Sequence, residues 1–233
     1  MFQKLRLSGS QLKMLALITM TIDHIGFIFF PQVWWLRAIG RLAFPIFAYM
    51  IAEGCRYTRR RMRYWGSIAL LALVCDAAEM IAEGSLYQSV MTTFTLSMGM
   101  IYALDWAMRG ENRREQLLRS LLSAGAVLLA FFLCELLPLL LWTTDYHVDY
   151  RFSGALLPVL IYVGKRRETR LALAALGILA TCLEFGGVQW YALLALLPLA
   201  LYDGTRGRHA MKWLFYLYYP LHLALLWGIH ALF

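Results

Sequence analysis

Charge is what this sequence has least of. Only 15% of its 233 residues are Asp, Glu, Lys or Arg, against about 25% in a soluble domain. Beside a 61% share of hydrophobic residues, that scarcity excludes an ordinary water-soluble globule. Cysteine is sparse too: Cys55, Cys75, Cys134 and Cys182 stand far apart, with no CxxC and no Cys/His cluster. No metal site is therefore expected, and no disulfide is required. No glycine-rich phosphate loop occurs, so any nucleotide must be held by other means. The first apolar run lacks a small-residue cleavage site and contains charges, which marks it as a retained helix rather than a removed signal.

What the chain has in abundance is apolar runs. A spanning helix needs about 20 mostly apolar residues. Runs near that length fall at roughly 12–30, 36–55, 64–83, 89–108, 120–142, 152–164, 171–185, 188–203 and 213–232. These are about nine spans, the sixth and seventh being short. The expected fold is all-α: a polytopic helical bundle in a lipid bilayer, built as one domain over 1–233.

The net charge of +8 would suit nucleic acid, but its distribution points to a membrane, and no nucleic-acid partner is expected. Of the 22 lysines and arginines, all except Arg37, Arg41 and Arg151 fall before or at the very start of the first run or between alternate pairs of runs. These are Lys4, Arg6 and Lys13; then Arg56, Arg59, Arg60, Arg61 and Arg63; then Arg109, Arg113, Arg114 and Arg119; then Lys165, Arg166, Arg167 and Arg170; then Arg206, Arg208 and Lys212. With nine alternating spans they share one side. The positive-inside rule makes that side cytoplasmic, with the N-terminus inside and the C-terminus outside. The basic loops read as topology signals against anionic lipid, or as a docking surface for an anionic cosubstrate.

The stretch that organises the chain is LKMLALITMTIDHIGFIFF, residues 12–30, because Asp23 and His24 sit within it. A carboxylate at mid-membrane costs about 2.5–3.5 kcal/mol on insertion scales, so a partner, a wet cavity or a function must offset it. One reading is a structural clamp to neighbouring helices. The other is a catalytic imidazole, able to take and return a proton near neutral pH.

At about 1.5 Å per residue, His24 lies roughly 17 Å beyond Lys13, in the outer half of the span. Arg37 and Arg41 fall in the outer half of the second run, four apart and on one face. Asp76 and Glu79 in the third run, Glu135 in the fifth, and Asp149 with the adjoining Tyr150 before the sixth belong to the same outer layer. A shared polar cavity that binds substrate accounts for that layer better than separate charges in lipid. His222, near Pro220 in the last run, is at mid-depth, either satisfying a neighbouring helix or facing the same cavity. Glu53, Asp105 and Asp203 sit at inner ends and read as interfacial ion pairs.

Several stretches together resemble the TraX family: LKMLALITMTIDHIG, LRAIGRLAFPIFAYMIAEG, VMTTFTLSMGM, DYRFSGALLPVLIY, YALLALLPLALYDGTRG and FYLYYPLHL. They occur in family order, and polar residues inside the spans agree. The family is named for a membrane protein that N-acetylates pilin subunits in conjugation. The resemblance implies an acetyl-CoA-dependent acyltransferase of the bacterial inner membrane. Arg151 departs from the pattern, standing where the family usually has glycine. A wider similarity reaches the acyltransferase-three membrane enzymes, in which a basic residue precedes the catalytic histidine by ten intervening positions. Lys13 and His24 have that spacing.

On that resemblance His24 is the candidate general base, with Asp23 or another acid orienting it and Arg41 stabilising charge at the thioester. Lys13, Arg59, Arg60 and Arg61 are candidates for the CoA phosphates. Arg37, Asp76, Glu79, Glu135, Asp149, Tyr150 and His222 are candidates for the acceptor, which is a peptide N-terminus, a sugar hydroxyl or a small metabolite. The rival class is a non-enzymatic transporter or assembly factor, since buried polar groups serve transporters too.

Overall fold

A computed structural model of the chain describes residues 6–207 and 212–232, with the side chains of 212–215 outside the description. Lys4 and Arg208, counted above among the basic residues, lie outside the described residues, as does the side chain of Lys212. The helices are α1 (Gly9–Ile28), α2 (Trp34–Gly40), α3 (Ala43–Tyr57), α4 (Arg61–Glu83), α5 (Val90–Ala107), α6 (Arg113–Phe131), α7 (Leu137–Leu140), α8 (Arg151–Val163), α9 (Arg167–Phe185), α10 (Leu196–Ala200) and α11 (Lys212–His230). A π-helical turn, Phe132–Leu136, joins α6 to α7, and a 3-10 stretch, Gly187–Ala195, leads into α10. Among the described residues there is no β-strand, only two isolated bridges. The fold is all-helical, as the apolar runs predict. Among the described residues four stretches are long and apolar enough to cross a membrane: Gly9–Ile28, Trp34–Tyr57, Arg61–Glu83 and Arg113–Leu140. The chain is a membrane protein.

Prolines decide where the runs break. The second run divides at Arg41 and Leu42, where Pro45 has no N–H to return to the Arg41 carbonyl. Pro45 then sits in the first turn of α3, where proline is tolerated. In the fifth run Pro138 withholds the donor that the Cys134 carbonyl would use, and the ladder shifts register, Leu137 N–H reaching back to the Phe132 carbonyl. The seventh run is longer than expected, 19 residues in α9.

The chain forms two compact units, one made of residues up to Met50 and from Leu171 onward, the other of Ile51–Arg170. In the first, α1 packs on α2 and α11, and α2 on the 3-10 stretch. Ser8 and Gln11 form a capping box at the start of α1. The next two orphan amides are satisfied from elsewhere in the unit: Gly9 N–H donates to the Thr205 carbonyl at 2.8 Å and Ser10 N–H to the Arg206 carbonyl at 3.1 Å.

In the second unit α5 is central, packing on α4, α6 and α8. Its small polar residues join the helices. Ser97 donates to the Ala155 carbonyl at 2.8 Å, Ser123 of α6 donates to the Ala103 carbonyl at 2.6 Å, and Thr93 donates to the Asp149 carbonyl. Hydroxyls serve as interhelical glue where lipid offers no alternative partner. Leucines of α4 and α6 such as Leu70, Leu73, Leu118 and Leu122 stay exposed, which suits hydrocarbon rather than water. At the basic ends Glu53 pairs with Arg170, Arg61 with Asp105 at 2.6 Å, and Arg56 donates to the Tyr162 and Gly164 carbonyls that end α8. Glu53 and Asp105 thus each form an ion pair, as expected of them. Asp203, of the first unit, instead takes the amide and hydroxyl of Thr205, which hold its carboxyl below the usual carboxylate range.

Arg151 has φ of +49° and Tyr150 φ of +58°. This left-handed conformation is the one glycine adopts without penalty, so the glycine that the resemblance implies at position 151 would suit this turn. Replacing Arg151 by Ala or by Gly removes the same side chain, whose Nε lies 3.9 Å from Glu135. The two variants differ in backbone preference alone. Arg151→Gly is expected to be more stable than Arg151→Ala by about 1 kcal/mol, read as melting temperature in detergent. Equal melting temperatures would refute the strain at this turn.

Candidate functional site: a carboxylate clamp and a histidine pair

Asp23 and His24 occupy the last third of α1, and at 3.6 residues per turn neighbouring side chains diverge by about 100°. Asp23 faces α2. Its Oδ2 accepts from Arg37 Nη1 at 2.8 Å and from Arg41 Nη2 at 2.6 Å. Arg41 Nη1 also reaches Gln189 Oε1 at 3.5 Å, and the Arg37 guanidinium lies 5.0 Å from the centre of the Phe27 ring. Asp23 is only 8% exposed. Among the described residues its Oδ1 has no hydrogen-bond partner, because Gly40 occupies that side. A Cβ at position 40 would stand 2.1 Å from Oδ1, and one at Gly26 would stand 2.6 Å from Leu36 Cβ. The two helices approach through these glycines, as small residues allow in membranes.

His24 faces α11. Its Nδ1 lies 2.9 Å from His222 Nε2, and His222 Nδ1 lies 2.8 Å from the Tyr218 carbonyl oxygen. Tyr218 stacks on the His222 ring with 5.1 Å between centroids and 15° between planes, and Tyr219 meets it edge-on. The Tyr218 hydroxyl is 2.7 Å from Thr21 Oγ1, one turn before His24. His222 is 7% exposed. The hydrogen-bond partner of the His24 ring is therefore a second imidazole rather than an acid, and Asp23 is engaged with the arginines.

The structure brings Asp23, His24, Arg37, Arg41 and His222 together in the first unit, with Lys13 further back along α1. The other candidates lie in the second unit, and most of them serve helix ends. Asp76 Oδ1 accepts from Ser89 N–H at 2.8 Å and its Oδ2 from the Thr92 hydroxyl, capping α5. Glu135, in the π turn, accepts from Phe152 N–H at 3.0 Å at the start of α8. Asp149 and Tyr150 form the turn into α8, where the Asp149 carbonyl takes the Thr93 hydroxyl. Glu79 lies one turn beyond Asp76 on α4. Near them, outside the spans, Asp145 is held below the usual carboxylate range, first by the Ser85 hydroxyl and then by the Leu86 amide. Arg59 and Arg60 are exposed in the loop before α4, while Arg61 is committed to Asp105. Among the described residues no three His, Cys, Asp or Glu side chains gather as a metal site.

Sequence reasoning missed Gly40, Gln189 and Tyr218. Gln189, 3% exposed, follows Gly186-Gly187 at the head of an apolar run, which is its only signal. Tyr218 is one of many aromatics, and its hydrogen bond to His222 comes from its backbone carbonyl, which its residue type does not mark.

Fold and site together define a helical membrane protein with a carboxylate clamp and a histidine pair inside its helices. It belongs to the TraX family, whose description, TraX protein, matches residues 8–230. Over 247 aligned residues, covering 97% of both chains, it is 25% identical to a protein of Dichelobacter nodosus described as a probable fimbrial assembly protein FimC of serogroup H1. A 38-residue segment is 53% identical to an uncharacterised protein of Rickettsia prowazekii (strain Madrid E), covering 16% of this chain and 15% of that one. No solved structure matches.

Gly40→Ala puts a methyl group into Asp23 and must displace the carboxylate from its arginines. A loss of about 1–3 kcal/mol is expected, the usual cost of overpacking. Gly66 of α4 has nothing within 4 Å of a built Cβ, so Gly66→Ala should leave stability unchanged or raise it slightly. Thermal unfolding of both variants in detergent checks this, and an unaltered melting temperature for Gly40→Ala would contradict the packing described.

Proposed function

We propose that this protein is a membrane-embedded acetyltransferase that moves the acetyl group of cytoplasmic acetyl-CoA to an amine or hydroxyl acceptor. The observation that carries the reading is the His24 imidazole, hydrogen-bonded to a second histidine within a membrane helix and adjacent in sequence to a carboxylate held by two arginines. Family membership and the fimbrial assembly relative support a pilus-related role, with the N-terminus of a pilin-like peptide as acceptor.

His24 acts as general base, removing the acceptor's proton as its nitrogen or oxygen attacks the thioester carbonyl. Arg41, with Arg37 beside it, supplies positive charge for the oxyanion that develops. Lys13, Arg59, Arg60 and Arg61 attract the CoA phosphates from the cytoplasmic side. The chain crosses the inner membrane of a bacterium about nine times, with its N-terminus inside and its C-terminus outside, as the distribution of basic residues favours. A second reading, an assembly factor without catalysis, is favoured by the description of the Dichelobacter relative alone.

Release of free CoA by the purified protein with a pilin-like peptide separates the two readings. His24→Ala should lower turnover about 100-fold or more, since a positioned acid–base group contributes about 10²–10⁴. His24→Asn, which keeps polarity but not the base, should be equally impaired while melting near the wild-type temperature. An Asn variant that turns over like the wild type removes His24 from the base role, and wild-type protein that releases no CoA leaves the assembly-factor reading.

Orientation is tested separately. Alkaline phosphatase fused after Phe233 is expected to be active and fused after Arg61 inactive; the opposite pattern would invert the proposed orientation.

A further inference from the structure

We propose that His222 is a positioning residue that fixes the tautomer of His24, so that His24 Nε2 is the atom that takes the acceptor's proton. This rests on the acetyl-transfer reading above and extends it to a residue of another helix and to one atom of the base.

The argument runs inward from the Tyr218 carbonyl. A carbonyl oxygen only accepts hydrogen bonds, so His222 Nδ1, 2.8 Å away, carries a hydrogen. A neutral imidazole has one N–H, and the nitrogen that carries it is set by the bond its partner makes. His222 Nε2 is then a lone pair. His24 Nδ1 lies 2.9 Å from it and must be the donor. The single hydrogen of neutral His24 is thereby assigned to Nδ1, and its Nε2 carries the lone pair.

The relay is held from both ends. Tyr218 is tied to α1 through its hydroxyl and Thr21 Oγ1 at 2.7 Å, and its ring stacks on His222. Asp23, the acid next to His24 in sequence, is committed to Arg37 and Arg41. An acid would hold a positively charged His24 as an ion pair. A neutral histidine orders the same hydrogen bond without adding a charge.

The proton bookkeeping closes. His24 Nε2 takes the N–H or O–H proton of the acceptor as the new bond to the thioester carbonyl carbon forms. The carbon–sulfur bond then breaks, and the departing CoA sulfur takes that proton from Nε2, leaving CoA thiol, acetylated acceptor and neutral His24. Throughout, Nδ1–H stays donated to His222.

The test is ¹⁵N-histidine NMR of the full chain in detergent, with the His24 signals assigned by their loss in His24→Gln. The expected wild-type result is a hydrogen on Nδ1 and none on Nε2. In His222→Leu the acceptor is gone and the Nε2–H form should appear. His222→Gln offers its Oε1 as acceptor and should retain the Nδ1–H form. In parallel, His222→Leu should lower kcat about 100-fold with KM for acetyl-CoA unchanged, and His222→Gln should recover to within about tenfold of wild type, the scale of a correctly placed base. A wild-type His24 with its hydrogen on Nε2 overturns the proposal without need of any variant. So does an unchanged His24 tautomer in His222→Leu, or equal turnover by the Leu and Gln variants. Wild-type protein that transfers no acetyl group overturns the acetyltransferase reading instead, and the tautomer measurement then decides the role of His222 by itself.

Discussion

A carboxylate inside an apolar helix is the constraint on which the first unit depends. A buried carboxylate is costly unless it is paired, and two guanidiniums meet on one oxygen of Asp23. That requirement reaches back into the backbone of the neighbouring run. Arg37 lies on α2 and Arg41 at its end, where the lack of a donor at Pro45 lets the chain turn. Gly40 lets α2 come close enough for both arginines to reach, since any side chain there would occupy the place of the carboxylate. The break, the glycine and the arginine spacing are one solution to the cost of burying Asp23.

Once Asp23 is turned to α2, helical geometry leaves His24 facing elsewhere. Its partner must come from another element, and α11 supplies His222. Asp23 ties α1 to α2, and His24 meets a histidine that is itself hydrogen-bonded to a backbone carbonyl. The same small segment of helix fastens a bundle and presents an imidazole, because adjacent residues project in different directions.

How far this was legible in the sequence follows from what hydropathy encodes. Apolar runs and their basic flanks mark depth, so every expected run contains helix, and Glu53 and Asp105 find arginines as expected. Prolines mark the interruptions, although their consequences, an elbow in one run and a π turn in another, depend on which carbonyl loses its donor. What depth does not encode is azimuth. The ionisable groups expected in one outer layer have different duties, and nothing in their spacing told the capping acids Asp76 and Glu135 from the clamp at Asp23. Pairings across long stretches of chain were the least accessible. His24 and His222 are separated by 198 positions, and Gln189 reaches Arg41 across 148.

What does separate these groups is their remaining hydrogen-bonding capacity. Asp76 spends one oxygen on an amide and the other on a hydroxyl, and Glu135 is directed at the first turn of α8. Such acids stabilise helix ends as acceptors, and removing their protein donors to admit a substrate would expose orphan amides. Asp23 has an oxygen to spare, but Gly40 covers it, so that lone pair is closed to a ligand by packing. A histidine differs because its two nitrogens are distinct. The His24–His222 bond occupies Nδ1 and fixes the ring, and in doing so it defines the state of the opposite nitrogen. A carboxylate saturated by donors has nothing further to offer, whereas an imidazole becomes a better-defined base when one side of it is engaged. This is why, among the ionisable groups described inside the helices, the proposed proton transfer is given to the pair between α1 and α11.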